Sequence, residues 1–182
     1  MEHDAISANV SRGGLKSTAE IKILVLYLLM HVDEPVPSNQ VSDLLHVEGI
    51  ANTFEVNDAF HQLSNNGLID AIDEEGTAFI INAKGRDAAQ TLQSTVPFTV
   101  REKSLKLLKK MLKRNRNIRE TDIKIERNGN GVYITCSALE KEKTVMSFSL
   151  QATDYDQALR IKENFLDDPS AVYRMLVDML TK

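Results

Sequence analysis

Apolar residues along this chain keep two rhythms, a three-and-four spacing and a strict alternation, and each change of rhythm marks an element. Ile21, Leu24, Val25, Leu28, Leu29 and Val32 cover more than one face of a helix. A first helix wrapped by neighbours is therefore expected, and Ser17-Thr18-Ala19-Glu20 before it has the form of a capping box. Asp33-Glu34-Pro35-Val36-Pro37 ends it and leaves room for only a very short strand. Ser38 is expected to cap a second helix with Val41, Leu44 and Leu45 as its buried stripe, followed by a turn over 46–52 that contains Gly49.

The third helix is the best marked. Val56, Ala59, Phe60 and Leu63 form one face, Asn52 or Thr53 can cap its start, and Glu55 suits the positive end of the dipole. Asn65-Asn66-Gly67 supplies a left-handed stop. Residues 68–72 and 77–81 then flank Asp73-Glu74-Glu75-Gly76 and read as two strands and a turn. Asn82-Ala83-Lys84-Gly85 opens a fourth helix that runs through Leu92.

Beyond Pro97 the pattern changes. Thr99-Val100-Arg101-Glu102 reads as a second capping box, before a helix to about Asn117 with Leu105, Leu108, Met111 and Leu112 as its dry stripe. The opposite face carries Lys103, Lys106, Lys109, Lys110, Lys113, Arg114 and Arg116. Alternation follows: Ile123 and Ile125, then Val132, Ile134, Cys136 and Ala138 after the turn Asn128-Gly129-Asn130-Gly131. Past the Glu140–Lys143 turn, Met146, Phe148 and Leu150 continue the inward set, an antiparallel meander with one wet face. Thr153 is expected to cap a helix burying Ala158, Ile161 and Phe165. Asp168-Pro169 opens a last helix burying Val172, Leu176, Met179 and Leu180, with Tyr173 and Met175 beside them; Met175 and Met179 read as core or dimer seam.

The expected class is α+β: a flexible tail (1–16), an N-terminal winged helix-turn-helix (17–97), and a small α+β unit (98–182) of basic helix, three-stranded meander and two helices. The order helix, short strand, helix, helix, strand, wing, strand, helix is the winged-helix order. The phrases Leu63-Ser64-Asn65-Asn66-Gly67-Leu68-Ile69 and Asn82-Ala83-Lys84-Gly85 resemble those of many bacterial winged-helix regulators. Over roughly residues 17–182 the chain also resembles the bacterial family of domain of unknown function 4364. The points of likeness are Leu26-Tyr27-Leu28-Leu29, Asn65-Asn66-Gly67-Leu68-Ile69, Lys84-Gly85-Arg86 and Ala171-Val172-Tyr173. That resemblance implies a winged helix joined to a compact α+β tail, a regulatory role, and no catalytic residues.

Composition sharpens the functional question. The 182 residues carry a net charge of −4, so the whole molecule has no bulk attraction to nucleic acid or an anionic membrane. The longest apolar run, 23–30, is too short to span a bilayer, and residues 1–16 lack the apolar core of a secretion signal. With Cys136 as the lone cysteine, a reducing cytoplasm is the expected setting.

A winged helix lays its third helix in the major groove, where the solvent side would present Glu55, Asn57, Asp58, His61, Gln62 and Asn65. Asn57 and Gln62 match the donor and acceptor pair of adenine, and His61 is placed to touch a phosphate. Yet no lysine or arginine lies between Lys22 and Lys84, while Asp33, Glu34, Asp43, Glu48, Glu55, Asp58, Asp70, Asp73, Glu74 and Glu75 all do. Binding at physiological salt usually draws on about 6–10 neutralised phosphates. Arg12, Lys16, Lys84 and Arg86 flank the site, and Lys106, Lys109, Lys110 and Lys113 offer a second cationic surface. The plain reading of that lysine face is solvation; the alternative is contact with DNA or with an acidic winged-helix surface.

No chemistry presents itself. His3, His31, His46 and His61 form no metal-binding spacing, and Cys136 alternates into the dry face without a histidine partner. Asp73-Glu74-Glu75 resembles an acid–base pair but sits on a hairpin tip expected to be too wet to shift a carboxyl usefully. No enzyme activity, cofactor or metal is expected. The first expectation is a cytoplasmic, homodimeric winged-helix transcriptional regulator that binds double-stranded DNA in a non-standard mode, its tail dimerising or sensing. The alternative is a winged helix used as an interaction module, its acidic face docking a basic protein. A third is a metabolite site between the meander and the closing helices.

Overall fold

The computed structural model describes residues 10–129 and 131–182; the expectations that fall on residues 1–9, His3 among them, and on Asn130 lie outside the described residues. Its contacts divide the chain into two units, Met1–Lys110 and Met111–Lys182. The architecture is mixed α+β, with two three-stranded antiparallel sheets among the described residues.

The first unit begins with α1 (Thr18–Met30), β1 (Val36–Pro37), α2 (Ser38–Val47) and α3 (Thr53–Asn65). It continues with β2 (Ile69–Ala71), β3 (Ala78–Ile81), α4 (Ala83–Leu92), a 3-10 turn (Gln93–Thr95) and the start of α5 (Phe98–Arg119). α1 is buried nearly all round because α3 and α4 both pack on it. The sheet order is β1-β3-β2, with Val36 opposite Phe79 and Asp70 opposite Ile80. The Phe60 and Phe79 rings, 5.3 Å apart, pin α3 to the hairpin.

Several local expectations are corrected. Ser17 precedes α1, but its hydroxyl makes no capping bond and is buried without a partner. Ser38 is the first residue of α2 rather than its cap; its hydroxyl donates to the Thr77 carbonyl at 3.1 Å, tying the helix to the hairpin. Of the two candidate caps for α3 it is Asn52 that serves, accepting from the Phe54 N–H at 2.9 Å. Thr99 lies inside α5, whose first turn is closed by the Pro97 carbonyl accepting from Val100 and Arg101. Nor is the described part of the expected tail loose: Leu15 is buried and its N–H donates to the Ile50 carbonyl at 2.8 Å. The two contact units meet within α5, between Lys110 and Met111.

The second unit holds the rest of α5, then β4 (Thr121–Asn128), β5 (Gly131–Glu140), β6 (Lys143–Ala152), α6 (Tyr155–Asp167) and α7 (Pro169–Leu180). The strands form an antiparallel meander in the order β4-β5-β6. Ile134, Cys136, Ala152, Ala158 and Phe165 make its core, with Ile123, Ile125, Val132, Ala138, Met146 and Phe148 packed around them. Burial pushes the Cys136 thiol up to about 11. Leu150 shares that face but is exposed: α6 packs chiefly over β5 and covers β6 at Phe148, whose ring meets Phe165 at 5.5 Å, without covering Leu150. Asp154 rather than Thr153 caps α6, accepting from the Gln157 N–H at 2.6 Å. In α7 only Pro169 is fully buried. Val172 reaches the core, but Met179 and Leu180, expected inside, lie turns beyond it and are exposed.

Candidate nucleic-acid interface

The ridge that α3 presents to solvent is Phe54, Asp58, His61 and Asn65, spaced at helical repeats and all exposed. The two carboxamides expected to read bases are elsewhere. Asn57 is half-buried, its carbonyl accepting from the Ser42 hydroxyl of α2 at 2.5 Å. Gln62 donates to the Asp58 carboxylate one turn earlier at 2.5 Å. Only His61 among the three stands on the open ridge.

The hairpin beside α3 is acidic and internally committed. The Asp73 carboxylate accepts from the Thr77 and Ala78 N–H groups at 2.8 and 3.0 Å and from the Thr77 hydroxyl. Those bonds, the Ala78 one foremost, hold its carboxyl below the usual range. Donors in the turn outweigh exposure at Asp73, and the shift is downward, which keeps the carboxylate ionised and does not suit it to acid–base work. Glu74 and Glu75 remain exposed.

The cations take different roles. Arg86 donates to the Met30 carbonyl at 3.3 Å, at the negative end of α1. Lys84, in the first turn of α4, is exposed. Lys113 is paired with Asp168 at 3.1 Å in the second unit. Lys106, Lys109 and Lys110 are exposed on α5 and form no ion pair with any described residue.

The start of α5 is set by a cluster on α1. Tyr27 donates to Glu102 at 2.8 Å, and the Arg101 guanidinium lies over the Tyr27 and Phe98 rings at 5.3 and 5.8 Å. Burial, then the bond to Glu102, raises the Tyr27 hydroxyl above its ordinary value. Lys103 closes on Glu48, just past the end of α2, at 2.9 Å. The lysine row therefore starts beside the α2–α3 turn and continues along α5 through Lys106 and Lys110.

Sequence reasoning missed Val47 and Phe54, which flank that turn with 81% and 75% of their surface exposed. The available signal was Phe54 itself, which lies off the Val56–Phe60–Leu63 stripe. Among the described residues no group of three or more His, Cys, Asp or Glu side chains could hold a metal ion. No described helix is long and apolar enough to cross a membrane. No curated protein and no solved structure matches the chain. A family model does, over residues 21–180, and the chain accordingly belongs to the family described as Domain of unknown function (DUF4364).

Proposed function

We propose that residues 17–97 form a winged helix-turn-helix and that the chain is a transcriptional-regulator-like protein of the cytoplasm. It binds double-stranded DNA in a non-standard mode, through phosphates rather than base edges. The observation that carries the reading is the path of the first unit. α3 runs straight into the antiparallel β2–β3 hairpin, and β1, from between α1 and α2, completes a sheet of order β1-β3-β2. Lys106, Lys109 and Lys110, with Lys84, supply the phosphate contacts, because Asn57 is held by Ser42 and Gln62 is bonded to the exposed Asp58 carboxylate one turn away. The second unit dimerises the chain or senses a ligand, and no catalytic step is assigned.

Titration of the full chain with mixed-sequence duplex DNA tests this. Each neutralised phosphate contributes about −0.9 to the log–log salt slope, so four lysines give weak binding with a slope near −3 to −4. Lys106→Glu with Lys109→Glu and Lys110→Glu is expected to abolish it, and Gln62→Ala to leave it unchanged. Binding lost on Gln62→Ala would return base reading to α3.

A second reading uses the winged helix as a protein-interaction module. The open ridge favours it: Phe54 and Val47 are exposed apolar side chains on either side of the α2–α3 turn, and Asp58 follows Phe54 by one helical turn, features that suit an apolar and basic partner segment. Absence of DNA binding even at low salt selects this reading.

A further inference from the structure

The second unit contains a cavity of about 620 Å³ between the end of α5, the β5–β6 turn and the first turns of α7. Small-molecule sites typically occupy about 300–1,000 Å³. Its lining carries charges of both signs, Glu120 and Glu140 against Lys141 and Arg174. None of these four side chains makes a hydrogen bond or a close ion pair with any described residue, and Arg174 acts on the Asp168 carboxylate only as a nearby charge. Tyr173 and Val145 add apolar wall, and both are exposed.

Two departures from regular backbone shape this wall. The register between β5 and β6 slips between Ala138 and Leu139, so Val145 is the extra residue of a bulge and turns out of the sheet's alternation. The turn that follows puts both Lys141 and Glu142 at positive φ, 47° and 64°, where asparagine and glycine are the usual residues. A lysine kept in a strained position on the rim of a cavity is the kind of outlier that marks a functional site.

We propose that this cavity binds a small zwitterion with an apolar side chain, either a free amino acid or a short peptide. Arg174, with Lys141, takes the carboxylate, since a guanidinium offers it two parallel donors. Glu120 and Glu140 take the ammonium group, and the side chain lies against Tyr173 and Val145. The inference deepens the sensing role proposed above for the second unit, but its readout is direct binding and does not involve DNA.

Calorimetric titration of the full chain with L-phenylalanine, L-leucine and the dipeptide leucyl-phenylalanine tests it, the amino-acid and peptide arms separating the two sources. The expected result is binding of at least one with Kd at or below about 1 mM. Phenethylamine and 3-phenylpropionate, each lacking one charge, are expected to bind at least about tenfold more weakly. Arg174→Ala and Glu120→Gln are each expected to weaken binding about tenfold, with melting temperature as the control for folding. No binding by any of the three zwitterions overturns the proposal. So does equal binding of either single-charge analogue, or an Arg174→Ala chain that binds as well as the parent. In each case the DNA titration keeps its own outcome, so failure here does not decide that reading.

Discussion

Gly85 sits directly beneath Leu68: a Cβ built on Gly85 would lie 2.1 Å from the Leu68 carbonyl oxygen and 2.8 Å from Ile81 Cγ1. This close approach lets α4 start against the strand that leaves α3. Asn82 completes the joint, accepting from the Gly85 N–H at 3.1 Å and donating to the Gly67 carbonyl and Asp70 carboxylate at 3.1 and 3.2 Å. Gly85→Ala gains up to about 1 kcal/mol of helix propensity but forces backbone apart, so a net loss of about 2 kcal/mol is expected. Urea unfolding of the variant checks the sign. A stabilised Gly85→Ala protein would mean the approach is looser than described.

Much of the first unit was readable because its signals are local. The Val56–Ala59–Phe60–Leu63 stripe, the Gly67 stop at φ 66°, and the Asn82 cap each depend on residues within one or two turns. The same holds for the meander, where alternation alone places Ile134 and Cys136 in the core. Tertiary partners were not readable. Nothing in the periodicity of α3 says that Ser42, on another helix, captures Asn57. Nor does an amphipathic pattern say how far its cover extends, which is why Leu150 and Met179 were placed inside. Residue type misled at the caps: Ser17 and Thr99 have the right chemistry, but the bonds went unmade or the helix began earlier.

The turn between β5 and β6 stores strain that one substitution relieves. Glu142, at φ 64°, occupies a left-handed conformation that disfavours a side chain by about 1–2 kcal/mol, and glycine removes that penalty. Part of the gain is offset by the greater freedom of glycine in the unfolded chain. A net stabilisation of about 0.5–1 kcal/mol is expected for Glu142→Gly in chemical denaturation. Glu142→Pro, which cannot adopt positive φ, is expected to destabilise.

Acid should loosen the second unit through Asp168. Its carboxyl is held below the usual carboxylate range, first by the hydrogen bond from Lys113 and also by the Ala171 N–H that it caps. A folded-state value below the unfolded one means the contribution is fully present above about pH 4 and is lost as pH falls through the folded value. Asp168→Asn keeps a capping oxygen but no titrating charge. Its stability is therefore expected to fall less steeply than the parent's between about pH 4 and 2, with parallel curves above pH 5. Equal steepness in the acid range would remove Asp168 from the account.

The last helix makes the proposed homodimer testable without DNA. Met175, Met179 and Leu180 leave 63%, 69% and 83% of their surfaces exposed on a helix whose inner side reaches the core only through its first turns. Such a cluster of large apolar side chains on one short helix is more than scattered surface hydrophobicity, and it is the seam proposed for a second copy. Because these side chains contribute little to their own unit, Met175→Glu with Met179→Glu is expected to change the melting temperature by only a few degrees. Light scattering at micromolar concentration is expected to give twice 20.4 kDa for the parent chain and 20.4 kDa for the double variant. A parent chain that scatters as a 20.4 kDa monomer removes the homodimer and leaves α7 to some other partner.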